Sequence, residues 1–193
     1  MKKETVKRQV PSAGKRKAVQ ATWFQKPVWG YGLRFGAVLS GLYLLTLLPG
    51  YSYVLGFDLR WNARCAAGML NLFGESCRVN DITLWNAQVP VLTVRDACAA
   101  LEVMACLAAA MLAYPVSFTR KLVGLLAGMA ILFGANILRI VALFWILVHH
   151  PASFELVHER LAAIALTIVT VAICVAWVGW SERSRPSSSH AEA

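Results

Sequence analysis

At 193 residues, the chain is short enough for a single domain. Its composition is 58% apolar and only 15% charged, which excludes an ordinary soluble domain and favours the membrane class. The net charge of +9 is unevenly spread, and neither an internal repeat nor a metal-finger spacing is present.

The first thirty residues hold Lys2, Lys3, Lys7, Arg8, Lys15, Arg16, Lys17 and Lys26 against Glu4. This pattern predicts a solvated basic tail (residues 1–30) touching anionic headgroups. It has neither the aromatic interleaving nor the fold of a nucleic-acid binder, so no nucleic-acid partner is expected. A first span is expected at 31–49, closed by Pro49-Gly50. No small-residue cleavage site follows its apolar core, so it is read as a retained signal-anchor rather than a removed signal peptide.

The segment 50–96 is less apolar. Leu59, Ala63, Ala66, Ala67, Leu70 and Phe73 recur at helical spacing, with Arg60, Asn62 and Arg64 elsewhere. That predicts a short amphipathic helix in the outer interface or packed on the bundle. Asn80-Asp81 signals a turn, and Ile82, Leu84, Val89, Val91 and Val94 suggest a small extended or hairpin element.

Three further spans are expected at 97–114, 122–148 and 161–180, followed by a short tail at 181–193. The fold class is therefore an all-α membrane bundle of about four transmembrane helices, with an outer amphipathic helix and a short extended segment. The membrane-embedded domain covers 31–180. Arg120 and Lys121 lie between the second and third spans, and Arg183 and Arg185 follow the fourth. Four spans put these and the N-terminal tail on one side, the cytoplasmic side by the positive-inside rule.

Counting 1.5 Å per residue from the cytoplasmic end places the polar residues in depth. Cys98 comes out about 24 Å up, Arg139 about 26 Å and His158 about 33 Å, at the outer surface. Glu102 and Asn136 lie about 18 and 21 Å up. His149 and His150 fall above the membrane, while Cys106 and Cys174 lie deep, where no base is at hand.

Arginine inside a span costs about 2.5–3.5 kcal/mol on insertion scales and usually faces the bundle interior with a partner. A thiol becomes a useful nucleophile as a thiolate, which a nearby cation or base favours. His158 is placed to take the thiol proton and return it to a leaving amine. Arg139 is placed to stabilise an oxyanion or the thiolate. Asn136, one turn from Arg139, and Glu102, four residues after Cys98, are supporting candidates. Cys65 and Cys77 lie outside the membrane, where a disulfide is permitted; packed thiols are the alternative.

Cys98, the run "NILRI" with Asn136, Arg139 and Ile140, and His158 in "FELVHE" together resemble the exosortase/archaeosortase family. The stretch "LAYPVSFTRKLVGLLAG" is also similar to that family, and "PASFELVH" with the short length most resembles its exosortase H branch. The resemblance covers roughly residues 60–180.

It implies a cysteine membrane peptidase and transpeptidase of the bacterial inner membrane, acting at the outer face. Its substrates would be exported, membrane-anchored proteins bearing a C-terminal sorting signal. The implied roles are Cys98 as nucleophile, His158 as acid/base and Arg139 as oxyanion or thiolate stabiliser, with no metal or organic cofactor. The family usually follows its cysteine with a small polar residue and a glycine; this chain has Ala99-Ala100.

Two other readings remain open at this point. One is a non-enzymatic membrane assembly protein with a structural Arg139–Glu102 ion pair. The other is a small transporter or channel using Arg139 for an anion. Substrate motif, acceptor nucleophile and oligomeric state are not legible in the sequence.

Overall fold

The computed structural model describes residues 13–86, 89–95 and 100–183, with side chains over 29–86, 92–95, 100–158 and 160–183. The chain is largely helical. Helix α1 (Ala13–Leu45) is followed by α2 (Tyr51–Leu72) and three short strands, β1 (Arg78–Asn80), β2 (Thr83–Asn86) and β3 (Val89–Thr93). Then come α3 (Leu101–Ala113) and α4 (Phe118–His149). A 3-10 turn (Pro151–Ser153), one α turn (α5, Phe154–Leu156) and a π-helical turn (Val157–Leu161) lead into α6 (Ala162–Arg183).

Helices α4 and α6 are long and apolar enough to cross a membrane, and α3 is a shorter apolar helix. They fall on the third, fourth and second expected spans. The first expected span begins inside α1, whose helix starts at Ala13, so residues 13–30 of the expected tail belong to it. It ends at Leu45, four residues short of the expected boundary; Thr46 Oγ1 donates to the Tyr43 carbonyl at 2.7 Å there.

Helix α2 is longer than the expected amphipathic element. It buries Leu59, Ala63, Ala66, Ala67 and Leu70 as the spacing requires, but also Asn62. Phe73 is exposed, because α2 has ended and the chain is turning away. Gly74 takes φ +89°, and the Glu75 N–H reaches the Leu70 carbonyl at 3.1 Å, a turn closure that favours glycine. Asn71 fastens α2 to the sheet: its Nδ2 donates to the Cys77 carbonyl at 3.0 Å, and its Oδ1 accepts from the Cys77 N–H at 2.8 Å.

The expected hairpin is a three-stranded antiparallel sheet in the order β1-β2-β3. Asn80 pairs with Thr83 across a turn in which Asp81 adopts φ +56°, a conformation aspartate tolerates. The alternation of β2 and β3 buries Leu84 and Leu92 against α2 and the upper part of α4 (Ile137, Ile140, Phe144), and Val94 just past β3 joins them.

A second core joins α3, α4 and α6 through Leu107, Met111, Leu132, Leu166 and Trp177. Small residues let these helices approach. An added Cβ on Gly124 would lie 2.0 Å from Trp177 Nε1, and one on Gly128 would lie 2.9 Å from Leu107 Cδ2. Polar contacts fix the same end. Trp177 Nε1 donates to the Arg120 carbonyl at 3.1 Å, Arg120 Nη1 donates to the Ser181 carbonyl at 3.1 Å, and the Tyr114 hydroxyl donates to Glu182 at 2.6 Å. Tyr31 of α1 packs edge-on against Tyr114, so α1 joins the bundle at this same end.

This packing predicts that Gly124→Ala destabilises the fold by about 1–3 kcal/mol, because the methyl group must displace Trp177 and break its bond to Arg120. Gly134→Ala, with nothing within 4 Å of the added carbon, should be silent. Thermal unfolding of the two variants in detergent tests this; equal midpoints would contradict the packing.

Candidate active site

Helix α4 carries Asn136 and Arg139 three residues apart, on one helical face. Asn136 is fully buried between α4 and α2, and its Nδ2 donates to Asn62 Oδ1 at 3.0 Å. Asn62, also fully buried, donates through Nδ2 to the Asp58 carbonyl at 2.9 Å and to Asp58 Oδ2 at 3.0 Å. A hydrogen-bonded chain therefore runs from Asp58 through Asn62 to Asn136. Sequence reading assigned Asn62 to the polar face with Arg60 and Arg64. Its place three residues after Leu59 and four before Ala66 is the signal that puts it on the buried stripe.

Arg139 is half-buried and lines a cavity of about 350 Å³ between α4, the π-helical turn and α6. The other walls are apolar and include Leu143, Val157, Leu161, Ala162 and Leu166. The antiparallel register that sets Gly124 against Trp177 and Gly128 against Ile173 brings Arg139 level with Ala162. His158, four residues earlier, stands one helical turn higher, about 6 Å.

His158 belongs to the π-helical turn whose Val157 and Leu161 wall the cavity, and its ring stacks on Phe154 with centroids 5.4 Å apart. Turns of this kind are frequent at functional sites because the wider loop re-aims its side chains. The structure thus brings Arg139 and the His158 turn to one cavity. Cys98, the expected nucleophile, lies outside the described residues, as does Ala99.

Glu102 lies near the start of α3. Ala100 has φ +55° and ψ +15°, and α3 begins only at Leu101. Glu102 therefore lies in the first turn of α3, and its spacing from Cys98 falls outside the described residues. Glu102 is exposed, and among the described residues it makes no ion pair with Arg139.

Cys65 and Cys77 are free thiols rather than a disulfide. Burial pushes the Cys77 thiol up, a backbone hydrogen bond involving Trp85 opposes this, and Glu75 adds to it. Elsewhere on the outer end, Glu75 meets His149 at 3.2 Å and ties the loop after α2 to the top of α4. No cluster of potential metal ligands occurs among the described residues.

The family model of the transmembrane exosortases matches residues 28–178, which takes in α2, the sheet, Arg139 and the His158 turn. The chain belongs to the transmembrane exosortase family. Comparison with curated proteins and with solved structures gave no match. Membership supports a membrane transpeptidase role in protein sorting, and with the apolar helices it supports a membrane location.

Ala100 has a left-handed backbone, a conformation that glycine adopts without strain. A β-carbon in this conformation costs about 1 kcal/mol. Ala100→Gly should raise exosortase stability by up to about that amount, and Ala100→Val should lower it. Thermal melts of the two variants give the test; a fall on glycine substitution would rule the strain out.

Proposed function

We propose that this exosortase is a cysteine peptidase and transpeptidase that cleaves the C-terminal sorting signal of exported, membrane-anchored proteins. The family match over 28–178 carries this reading, and the placement of Arg139 and the His158 turn on one cavity supports it. In the proposed mechanism, Cys98 attacks the scissile carbonyl after His158 takes its proton. The Arg139 guanidinium stabilises the negative charge of the thiolate and then of the tetrahedral oxyanion. His158 returns the proton to the leaving amine, leaving a thioester at Cys98. Water or a second nucleophile resolves the thioester, giving hydrolysis or transfer. Asn136 holds the Arg139 segment of α4 against α2, and Glu102 is left with no role in these steps.

The proposed topology has four spans in the bacterial inner membrane, with both termini cytoplasmic. Arg120, Lys121 and Arg183 gather at one end of the bundle, and the sheet and His158 lie towards the other. The positive-inside rule makes the basic end cytoplasmic, so the cavity opens towards the outer face, where exported substrates arrive. The assembly-protein alternative loses its motif, since Glu102 does not meet Arg139.

In the native host, Cys98→Ser should cause proteins with uncut C-terminal helices to accumulate, whereas Cys106→Ser should match the wild type. Mass spectrometry of C-terminal peptides reads the difference. Identical profiles in all three strains, with the variant proteins at normal level, would make Cys98 structural. His158→Ala should lower processing about 100-fold or more and remove the pH dependence of Cys98 alkylation below neutrality. Unchanged labelling rates across that range would sink the pairing.

A further inference from the structure

We propose that Asn62 on α2 is a positioning residue for Arg139, acting through Asn136; this rests on the reading of Arg139 as the charge-stabilising group. Asn62 and Asn136 are both wholly buried, and each side-chain bond between Asp58, Asn62 and Asn136 is close to 3.0 Å. Both hydrogen-bonding ends of the Asn62 amide are used: the NH2 group donates to Asp58 and the carbonyl oxygen accepts from Asn136. That fixes the orientation of the amide and leaves one rotational setting for Asn136.

A purely apolar α2–α4 seam would let α4 rotate or slide by fractions of an ångström, since dispersion contacts are non-directional. A directional amide pair does not allow this. It lies three residues, one helical turn, before Arg139, so it sets the azimuth from which the guanidinium enters the cavity. The residues flanking the pair on the same seam, Leu59, Ala63, Ala66, Ile137 and Ile140, are all buried and apolar. A polar pair at such a place is costly unless satisfied, and orientation is what it supplies in return.

The test measures iodoacetamide labelling of Cys98 at pH 7 in membranes, read by peptide-resolved mass spectrometry. Arg139→Gln should slow labelling about tenfold by removing the cation that favours the thiolate. Asn62→Leu should slow it several-fold while the protein stays at normal level in the membrane. Loosened packing alone would leave the rate unchanged or raise it, so the direction separates positioning from mere stability. Exchanging the two groups, Asp58→Asn with Asn62→Asp, re-forms the side-chain bond in reverse and still presents an acceptor to Asn136. This double variant should recover most of the rate, whereas Asn62→Asp alone should not.

Wild-type labelling in a normally abundant Asn62→Leu protein overturns the inference while leaving the role of Arg139 intact. Should Asn62→Leu be lost from the membrane, equal rates in Asn62→Asp and the double variant overturn it instead. Wild-type labelling in Arg139→Gln removes the reading of Arg139 itself and the inference with it.

Discussion

The seating of Trp177 on Gly124 sets the register of α4 against α6, and the remaining geometry follows from that register. A glycine is required there because the indole occupies the volume a β-carbon would need. The indole N–H then reaches the Arg120 carbonyl, and Arg120 reaches back to the Ser181 carbonyl. One steric contact and two hydrogen bonds at one end favour a single antiparallel alignment of the two helices. Carried up the pair, that alignment puts Arg139 level with Ala162 and the His158 turn just above. Sterically demanding contacts at the basic end thus set the heights of Arg139 and the His158 turn, and the Asn62–Asn136 bond adds a directional contact one turn from Arg139.

The cavity's composition gives Arg139 its leverage. Apolar side chains from α4, the π-helical turn and α6 form most of the described wall around Arg139. Charge–charge interactions strengthen as the local dielectric falls. A cation half-buried among Leu143, Leu161 and Leu166 therefore acts more strongly on a developing anion than the same cation in water. The π-helical turn contributes at the other wall. It widens the helix by one residue as the chain enters α6, which lets Val157 and Leu161 close the cavity while His158 stacks on Phe154.

Much of this was legible in the sequence because hydrophobic length and depth are nearly one-dimensional properties. The expected spans at 122–148 and 161–180 differ from α4 and α6 by a few residues, and the relative heights of Arg139 and His158 follow from the helical rise alone. The site's lateral contacts were harder to read. Asn62 sits between two arginines, and a polar residue in such company is ordinarily assigned to water. Only its phase relative to Leu59 and Ala66 betrays its burial. The partnership of Asn62 with Asn136 joins positions far apart in the chain, and no local pattern encodes it. The start of α3 was hard to read for a different reason: the apolar run continues across Ala100, whose left-handed backbone delays the helix to Leu101.

That left-handed residue also decides how the chain enters α3. A left-handed residue directly before α3 turns the incoming chain away from the helix axis. The segment leading to it comes from β3, whose Leu92 and the following Val94 are packed against α2 and α4. At Ala100 the backbone must change direction to enter α3. A reversal of backbone handedness achieves that in one step, and glycine does so without strain. Alanine retains the turn at a small cost because its side chain is a single methyl group, and Ala100 is buried in the α3–α4–α6 core, where apolar contact offsets part of that strain. Ala100 thus holds the left-handed turn at a small cost in local stability.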